Sequence, residues 1–152
     1  MYLNVYKITF NKTSQELEDL YDDLSIIDQE KLLELSTESY FDYDGIEGNY
    51  TVFFISSPID IEKYIEVLES NYIKTKCLNI TNDLLNLKYN LEIDLKHLVD
   101  KDNELKFEFF IDDLNDWLLE NLDIDVILDK ISEVGIENIG KIEKKFLENY
   151  KL

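Results

Sequence analysis

The side chains that most often carry acid–base or nucleophilic chemistry are scarce in this chain of 152 residues. His97 is the single histidine, and it lies between Lys96 and Leu98 in a charged stretch that contains no serine or cysteine nucleophile motif. Cys77 is the single cysteine and falls in a predicted strand, where a buried thiol behaves as a small apolar group. We therefore predict no catalytic residue.

A second possible chemistry is cation binding by the glycine-containing loop around Asp42, Asp44 and Glu47. Ca²⁺ and Mg²⁺ take several carboxylate oxygens, often around a flexible glycine turn. The spacing departs from the EF-hand pattern, because Gly45 follows Asp44 directly and no glutamate closes the loop at the twelfth position. These three residues are the metal candidates, and an exposed loop is the alternative.

Other cofactors are disfavoured by the supply of residues. One cysteine and one histidine cannot complete a tetrahedral zinc site without two carboxylates. A chain with four glycines that contains no glycine-rich phosphate loop gives no support to nucleotide-dependent catalysis. We predict no cofactor.

Carboxylates are the abundant reactive groups, with 34 acidic residues against 15 lysines and no arginine, for a net charge of −19. After Ile111, acidic residues recur at three- and four-residue steps, which on a helix would place their carboxylates about 5–6 Å apart along one side. A DNA strand carries one charge per about 3.4 Å of axis, so such rows suit a groove built for phosphate.

These acids supply the predicted contact surface for a partner. The predicted partner-binding residues are Asp22, Asp23, Asp112, Asp113, Asp116, Trp117, Glu120, Asp123 and Asp125. Trp117 serves as an apolar anchor if its side chain is exposed. A solvated helix face that only keeps the protein soluble is the alternative interpretation.

The composition also disfavours some classes of partner and of cellular location. Direct nucleic-acid binding is disfavoured because phosphate contacts need clustered lysine or arginine. No apolar run approaches the roughly 20 residues of a membrane helix, and the N-terminus does not resemble a signal peptide. With a lone cysteine, which fits a reducing compartment, these features predict a cytoplasmic protein of bacterial or phage origin.

The elements that position these residues follow from hydrophobic periodicity. Strands are predicted over residues 2–10, 49–56 and 72–80, a further amphipathic strand over 104–111, and helices from residue 14, from 57 to 71, from 112, over 123–134 and over 141–150. Residues 89–106 are undecided between strand and helix.

The predicted class is α+β, with a three- or four-stranded sheet in a ferredoxin-like βαβαβ order, helices on one side and a C-terminal helical hairpin. One domain over 1–152 is expected, with an α/β core over 1–111 and a helical subdomain over 112–152.

The C-terminal segment carries Leu-Asp-Lys-Ile-Ser at 128–132, then Gly135, then Glu-Lys-Lys-Phe-Leu at 143–147. This pattern resembles a short C-terminal module of small bacterial proteins and of the tails of some rhomboid-type membrane proteases. The chain has Ile139-Gly140 where the module has Leu-Thr, which removes a hydroxyl N-cap. The resemblance covers about the last thirty residues and implies a helical hairpin without activity.

Together these features favour a non-enzymatic inhibitor or immunity-type protein, of the anti-CRISPR-like anti-defence or toxin-immunity kind. It would dock an acidic face on the basic, nucleic-acid-binding surface of a target enzyme such as a nuclease. One alternative is a regulatory or adaptor module that binds through the apolar side of the C-terminal hairpin. Another is a Ca²⁺- or Mg²⁺-dependent protein that uses Asp42, Asp44 and neighbouring carboxylates.

Overall fold

The computed structural model describes residues 3–36, 39–45 and 47–150. Its strands are β1 (Asn4–Phe10), β2 (Ser39–Asp44), β3 (Tyr50–Ser56) and β4 (Thr75–Asn79). Its helices are α1 (Ser14–Asp22), α2 (Ile26–Ser36), α3 (Pro58–Ser70), α4 (Thr81–Leu85), α5 (Leu91–Leu95), α6 (Glu104–Asn121), α7 (Ile124–Val134) and α8 (Lys141–Asn149). Short 3-10 turns lie at Lys96–Leu98 and Ile136–Asn138. The predicted α+β class is confirmed.

The chain divides into two compact units, Met1–Thr81 and Asn82–Leu152. The expected boundary between residues 111 and 112 falls inside α6, because the predicted strand over 104–111 is wrong and this segment is helical. Leu105, Phe107, Phe109 and Ile111 alternate as in a strand, but only Phe107 and Ile111 are buried. The buried residues of this stretch therefore follow the period of a helix and not that of a strand.

The first unit contains a four-stranded antiparallel sheet in the order β2-β3-β1-β4. The order of elements along the chain is βααββαβ rather than the predicted βαβαβ, because β2 was not predicted as a strand and the helical segment after β1 forms two helices, α1 and α2. Its sequence, SYFDYD, alternates in orientation, with Phe41 fully buried and Asp44 exposed. Asp42 and Asp44 interrupt the apolar pattern of this strand, and acidic residues are depleted in strands, so the sequence does not indicate one here.

Helices α1, α2 and α3 cover one face of the sheet. Tyr6, Ile8 and Phe10 of β1 share this face with Val52 and Phe54, and they pack with Leu35, Ile61 and Leu68 of the helices. On the other face, Val5 and Phe53 are also buried, as the continuous apolar run of β3 predicts. Local signals start two of these helices: Thr13 and Glu16 form the capping box of α1, and Ser57 caps α3 ahead of Pro58.

The second unit is helical, and α6 is its longest helix at 18 residues. Its buried stripe consists of Phe107, Phe110, Ile111, Leu114, Trp117 and Leu118. Helix α7 ends at Gly135, which has φ 88° and so takes a conformation that favours glycine. The two helices predicted for the C-terminal hairpin are present as α7 and α8. The ion pair between Lys130 Nζ and Glu143 Oε1, at 2.6 Å, joins these two helices.

Candidate functional site

The outer side of α6 carries the longest acidic row in the described part of the chain. Glu104, Glu108, Asp112, Asp116 and Glu120 recur at every fourth residue, and all five side chains are exposed. A rise of 1.5 Å per residue gives a row of roughly 24 Å along the helix axis with a charge every ~6 Å, and each four-residue step turns the row by about 40° around the exposed surface. We call these five residues the α6 acidic row.

The row is longer than the sequence predicted. Asp112, Asp116 and Glu120 were predicted to share one side of a helix, and the structure adds Glu104 and Glu108 because the helix begins eight residues earlier. Asp113, also predicted, is exposed beside the row. The four-residue spacing over 104–120 was the signal that could have revealed the whole row.

Within the described residues, the members of the α6 acidic row form no ion pair. Only one lysine, Lys106, occurs in the helix. Like charges four residues apart destabilise a helix by about 0.2–0.5 kcal/mol per pair, so the four pairs of this row cost roughly 1–2 kcal/mol. The row is thus a local cost to stability that no described lysine offsets at these five positions.

Trp117 does not lie on this surface. It belongs to the buried stripe of α6 and is 4% exposed, so the condition for its use as an exposed anchor is not met. The exposed apolar side chains next to the row are Leu105 and Phe109, at 62% and 61% exposure. Phe109 precedes Asp112 and Asp113 by three and four residues, which brings an aromatic ring beside their carboxylates.

Asp123 and Asp125 have structural roles in addition to their charge. The Asp123 side chain caps α7 by accepting a hydrogen bond from the backbone N–H of Asp125 at 2.8 Å. Asp125 lies in the first turn, where the helix dipole favours a negative charge. Both side chains are exposed, but their positions are explained by the start of the helix.

Asp22 and Asp23 lie in the first unit, at the end of α1. Both are exposed, and Asp23 is the C-cap residue. No basic residue occurs in the last turn, so two carboxylates stand at the negative end of a helix, where the dipole disfavours them. This pair is a second, smaller acidic surface.

The loop predicted as a metal candidate is not assembled as a site. Asp42 accepts a hydrogen bond from the Tyr50 hydroxyl at 2.6 Å, and Asp44 accepts hydrogen bonds from the Ser14 amide, at 2.7 Å, and from the Ser14 hydroxyl. Glu47 is exposed. Among the residues the structure describes, no group of three or more histidine, cysteine, aspartate or glutamate side chains could hold a metal ion.

His97 and Cys77 do not gather other reactive groups. His97 is exposed in the 3-10 turn at Lys96–Leu98. Cys77 is on a strand as predicted, but it is exposed on the edge strand β4 rather than buried. Partial desolvation raises the pKa of its thiol, which lowers the fraction of reactive thiolate at neutral pH.

A cluster of tyrosines around Asp42 was not predicted. Tyr40 and Tyr50, on the helix-covered face of the sheet, and Tyr64, on α3, lie near this carboxylate. Burial raises the pKa of Tyr50, and the Asp42 charge and the hydrogen bond to it raise that pKa further. Burial, with the charge of Asp42 and with Tyr40, also raises the pKa of Tyr64. Tyr40 and Asp42 lie on β2, Tyr50 on β3 and Tyr64 on α3, so only the fold brings all four together.

Comparison of the chain with protein-family models, with curated proteins and with solved structures gave no match. No helix in the described ranges is long and apolar enough to cross a membrane.

Proposed function

We propose that this protein is a non-enzymatic interaction protein whose α6 acidic row docks on the basic, nucleic-acid-binding surface of a target enzyme. The observation that supports this is the row itself: five exposed carboxylates at four-residue spacing that wind across the solvent-facing surface of one helix. An inhibitor or immunity-type protein that acts on a nuclease or a related effector needs an acidic surface of this kind. A cytoplasmic location in a bacterium or an infected cell belongs to the proposal.

The spacing of the row suits a surface that binds phosphates. Charges about 6 Å apart along a helix match roughly every second phosphate of a nucleic-acid strand, whose charges are ~3.4 Å apart along the axis. Lysines and arginines arranged for phosphates would therefore find carboxylates within reach. Attraction of this kind also accelerates association at low salt.

An apolar contact beside the charges adds to this interaction. Aromatic residues are enriched at interface hot spots, and a rim of charge surrounds many of them. Phe109, 61% exposed and next to Asp112 and Asp113, replaces Trp117 as the proposed anchor. Asp22 and Asp23 are proposed as a secondary contact.

Affinity capture from the native host, with identification by mass spectrometry, tests the proposal. The bait proteins are the wild type, a variant with Asp112→Asn, Asp116→Asn and Glu120→Gln, and a control with Glu62→Gln, Glu66→Gln and Glu69→Gln. The control residues are exposed acids on α3, so both variants change the net charge by the same amount.

The wild type and the α3 control should capture a basic nucleic-acid-binding protein at about 0.1 M salt, and the α6 variant should not. Capture should also weaken at about 0.5 M salt, where the Debye length is only a few ångströms. Equal capture by all three baits that persists at the higher salt would reject the electrostatic proposal.

A second candidate function is a regulatory or adaptor module that binds through the C-terminal hairpin. It is favoured by the exposed apolar side chains Leu128, Val134 and Ile136, at 49%, 38% and 60% exposure. For this function, Leu128→Ser with Ile136→Ser abolishes capture while the α6 variant captures normally. The opposite pattern supports the acidic row.

A further inference from the structure

An apolar pocket of about 280 Å³ lies in the first unit, between the helix-covered face of the sheet and helices α1 to α3. Its walls include six aromatic rings, those of Phe10, Tyr21, Tyr40, Tyr50, Phe54 and Tyr64. Tyr50 is tilted against Phe10 at a centroid distance of 5.3 Å, and Phe54 meets Tyr64 edge to face at 5.4 Å. Ring packing therefore fixes much of the wall.

The charged residues that line this pocket are Asp42 and Glu18, and none of the described residues that line it is basic. Asp42 comes from β2 and is half-buried, and the Tyr50 hydroxyl donates to its Oδ2 atom. The faces of aromatic rings carry negative potential, which adds to that of the carboxylates. The pocket therefore attracts a cation and repels an anion.

From this geometry we infer that the pocket binds a small organic cation, an ammonium group carried on an apolar body. The rings would contact the apolar body and, through their faces, the ammonium group. Asp42 would neutralise the positive charge. An apolar cavity of about 150 Å³ holds a benzene molecule, so a volume of about 280 Å³ suits a ligand of about ten heavy atoms. This site lies in the first unit and is independent of the α6 acidic row.

The test is a titration of the full chain with choline, followed by heteronuclear NMR at constant ionic strength. The comparison ligand is the uncharged isostere of choline, in which a tert-butyl group replaces the trimethylammonium group. We expect choline to shift the resonances of Tyr40, Tyr50 and Tyr64, and to bind at least about tenfold more tightly than the isostere.

Two protein variants locate the interaction. Asp42→Asn keeps an oxygen that can accept from the Tyr50 hydroxyl but removes the charge, and it should weaken choline binding about tenfold. Asp23→Asn makes the same change in charge on an exposed residue that does not line the pocket, and it should leave choline binding unchanged.

Three outcomes would overturn the inference. One is equal binding of choline and its isostere, which would make the pocket merely apolar. Another is equal binding by the wild type and Asp42→Asn. The third is the absence of pocket shifts with choline at up to about 10 mM. The ligand comparison uses the wild type alone, so it remains decisive even if Asp42→Asn does not fold.

Discussion

At the residue scale, the ion pair between Lys130 and Glu143 explains two features of the C-terminal hairpin. Glu143 is 3% exposed, and its Oε2 atom lies 2.5 Å from the position that a Cβ atom on residue 140 would occupy. Glycine at 140 therefore leaves room for the carboxylate, although it provides no hydroxyl cap for α8. Both partners belong to the segments that resemble the bacterial C-terminal module, whose relationship to this chain stays a prediction.

This pair gives the first prediction. Glu143→Gln removes the charge that neutralises Lys130, and the free energy of unfolding should fall by about 2 kcal/mol. The loss should be below that of a fully buried pair, because the Lys130 side chain is 30% exposed and reaches water. Urea denaturation measures it, with Glu133→Gln as a control for an exposed glutamate of α7. Equal stability of the two variants would contradict the role given to the pair.

A second prediction at this scale concerns the buried tyrosines. Their raised pKa values mean that folded Tyr50 and Tyr64 stay protonated at a pH where the unfolded chain has begun to lose these protons. Their contribution to stability is complete below the unfolded pKa of 10.0 and declines as the pH rises above it. The expected loss is about 1 kcal/mol per pH unit for each residue.

Denaturation between about pH 9 and about pH 12 measures this decline. Tyr64→Phe should make the pH dependence shallower. Tyr72→Phe is the control, because the Tyr72 side chain is 93% exposed. A decline that is identical in both variants and the wild type would show that these buried hydroxyls do not cause it.

At the element scale, α6 shows how far local patterns predict this fold. The alternation of Leu105, Phe107, Phe109 and Ile111 suits a strand, but the apolar positions Phe107, Phe110, Ile111 and Leu114 suit a helix equally well. Only a window that extends to residue 121 separates these periods. The capping box at Thr13 and the proline at the start of α3 were predictable because each is a local signal with one structural meaning.

Two adjacent phenylalanines test the orientation of this helix. Phe110 is 1% exposed and Phe109 is 61% exposed. Phe110→Ala should lower the free energy of unfolding by about 3–5 kcal/mol, whereas Phe109→Ala should change it by no more than about 0.5 kcal/mol. Thermal or urea denaturation distinguishes them. If Phe109→Ala were the more destabilising change, the strand orientation would be correct after all.

At the scale of the whole molecule, most predicted features that depend on composition and local period agree with the structure, with the strand predicted over 104–111 as the exception, and features that depend on tertiary contacts were not predicted. The α+β class and the exposure of Asp112, Asp113, Asp116 and Glu120 belong to the first group. The burial of Trp117 and the tyrosine pocket belong to the second group. Neither is fixed by a single segment, because each requires several elements to pack together.

The net charge of −19 gives a prediction for the whole molecule. Mutual repulsion destabilises the compact state, and salt screens it. The melting temperature should therefore rise between about 0.02 M and about 0.5 M sodium chloride. The rise should be smaller in the variant with Asp112→Asn, Asp116→Asn and Glu120→Gln, which lacks part of the repulsion along α6. A melting temperature that falls with salt would mean that attractive pairs dominate.

The most direct test of the acidic-row proposal is the salt dependence of affinity for the captured partner. The logarithm of the association constant, plotted against the logarithm of salt concentration, reports how many counterions the interface releases. Neutralising Asp112, Asp116 and Glu120 should make this slope shallower and weaken binding at about 0.1 M salt by at least about tenfold, and the α3 control should match the wild type. Identical slopes and affinities for all three proteins would contradict the proposal that the α6 acidic row is the docking surface.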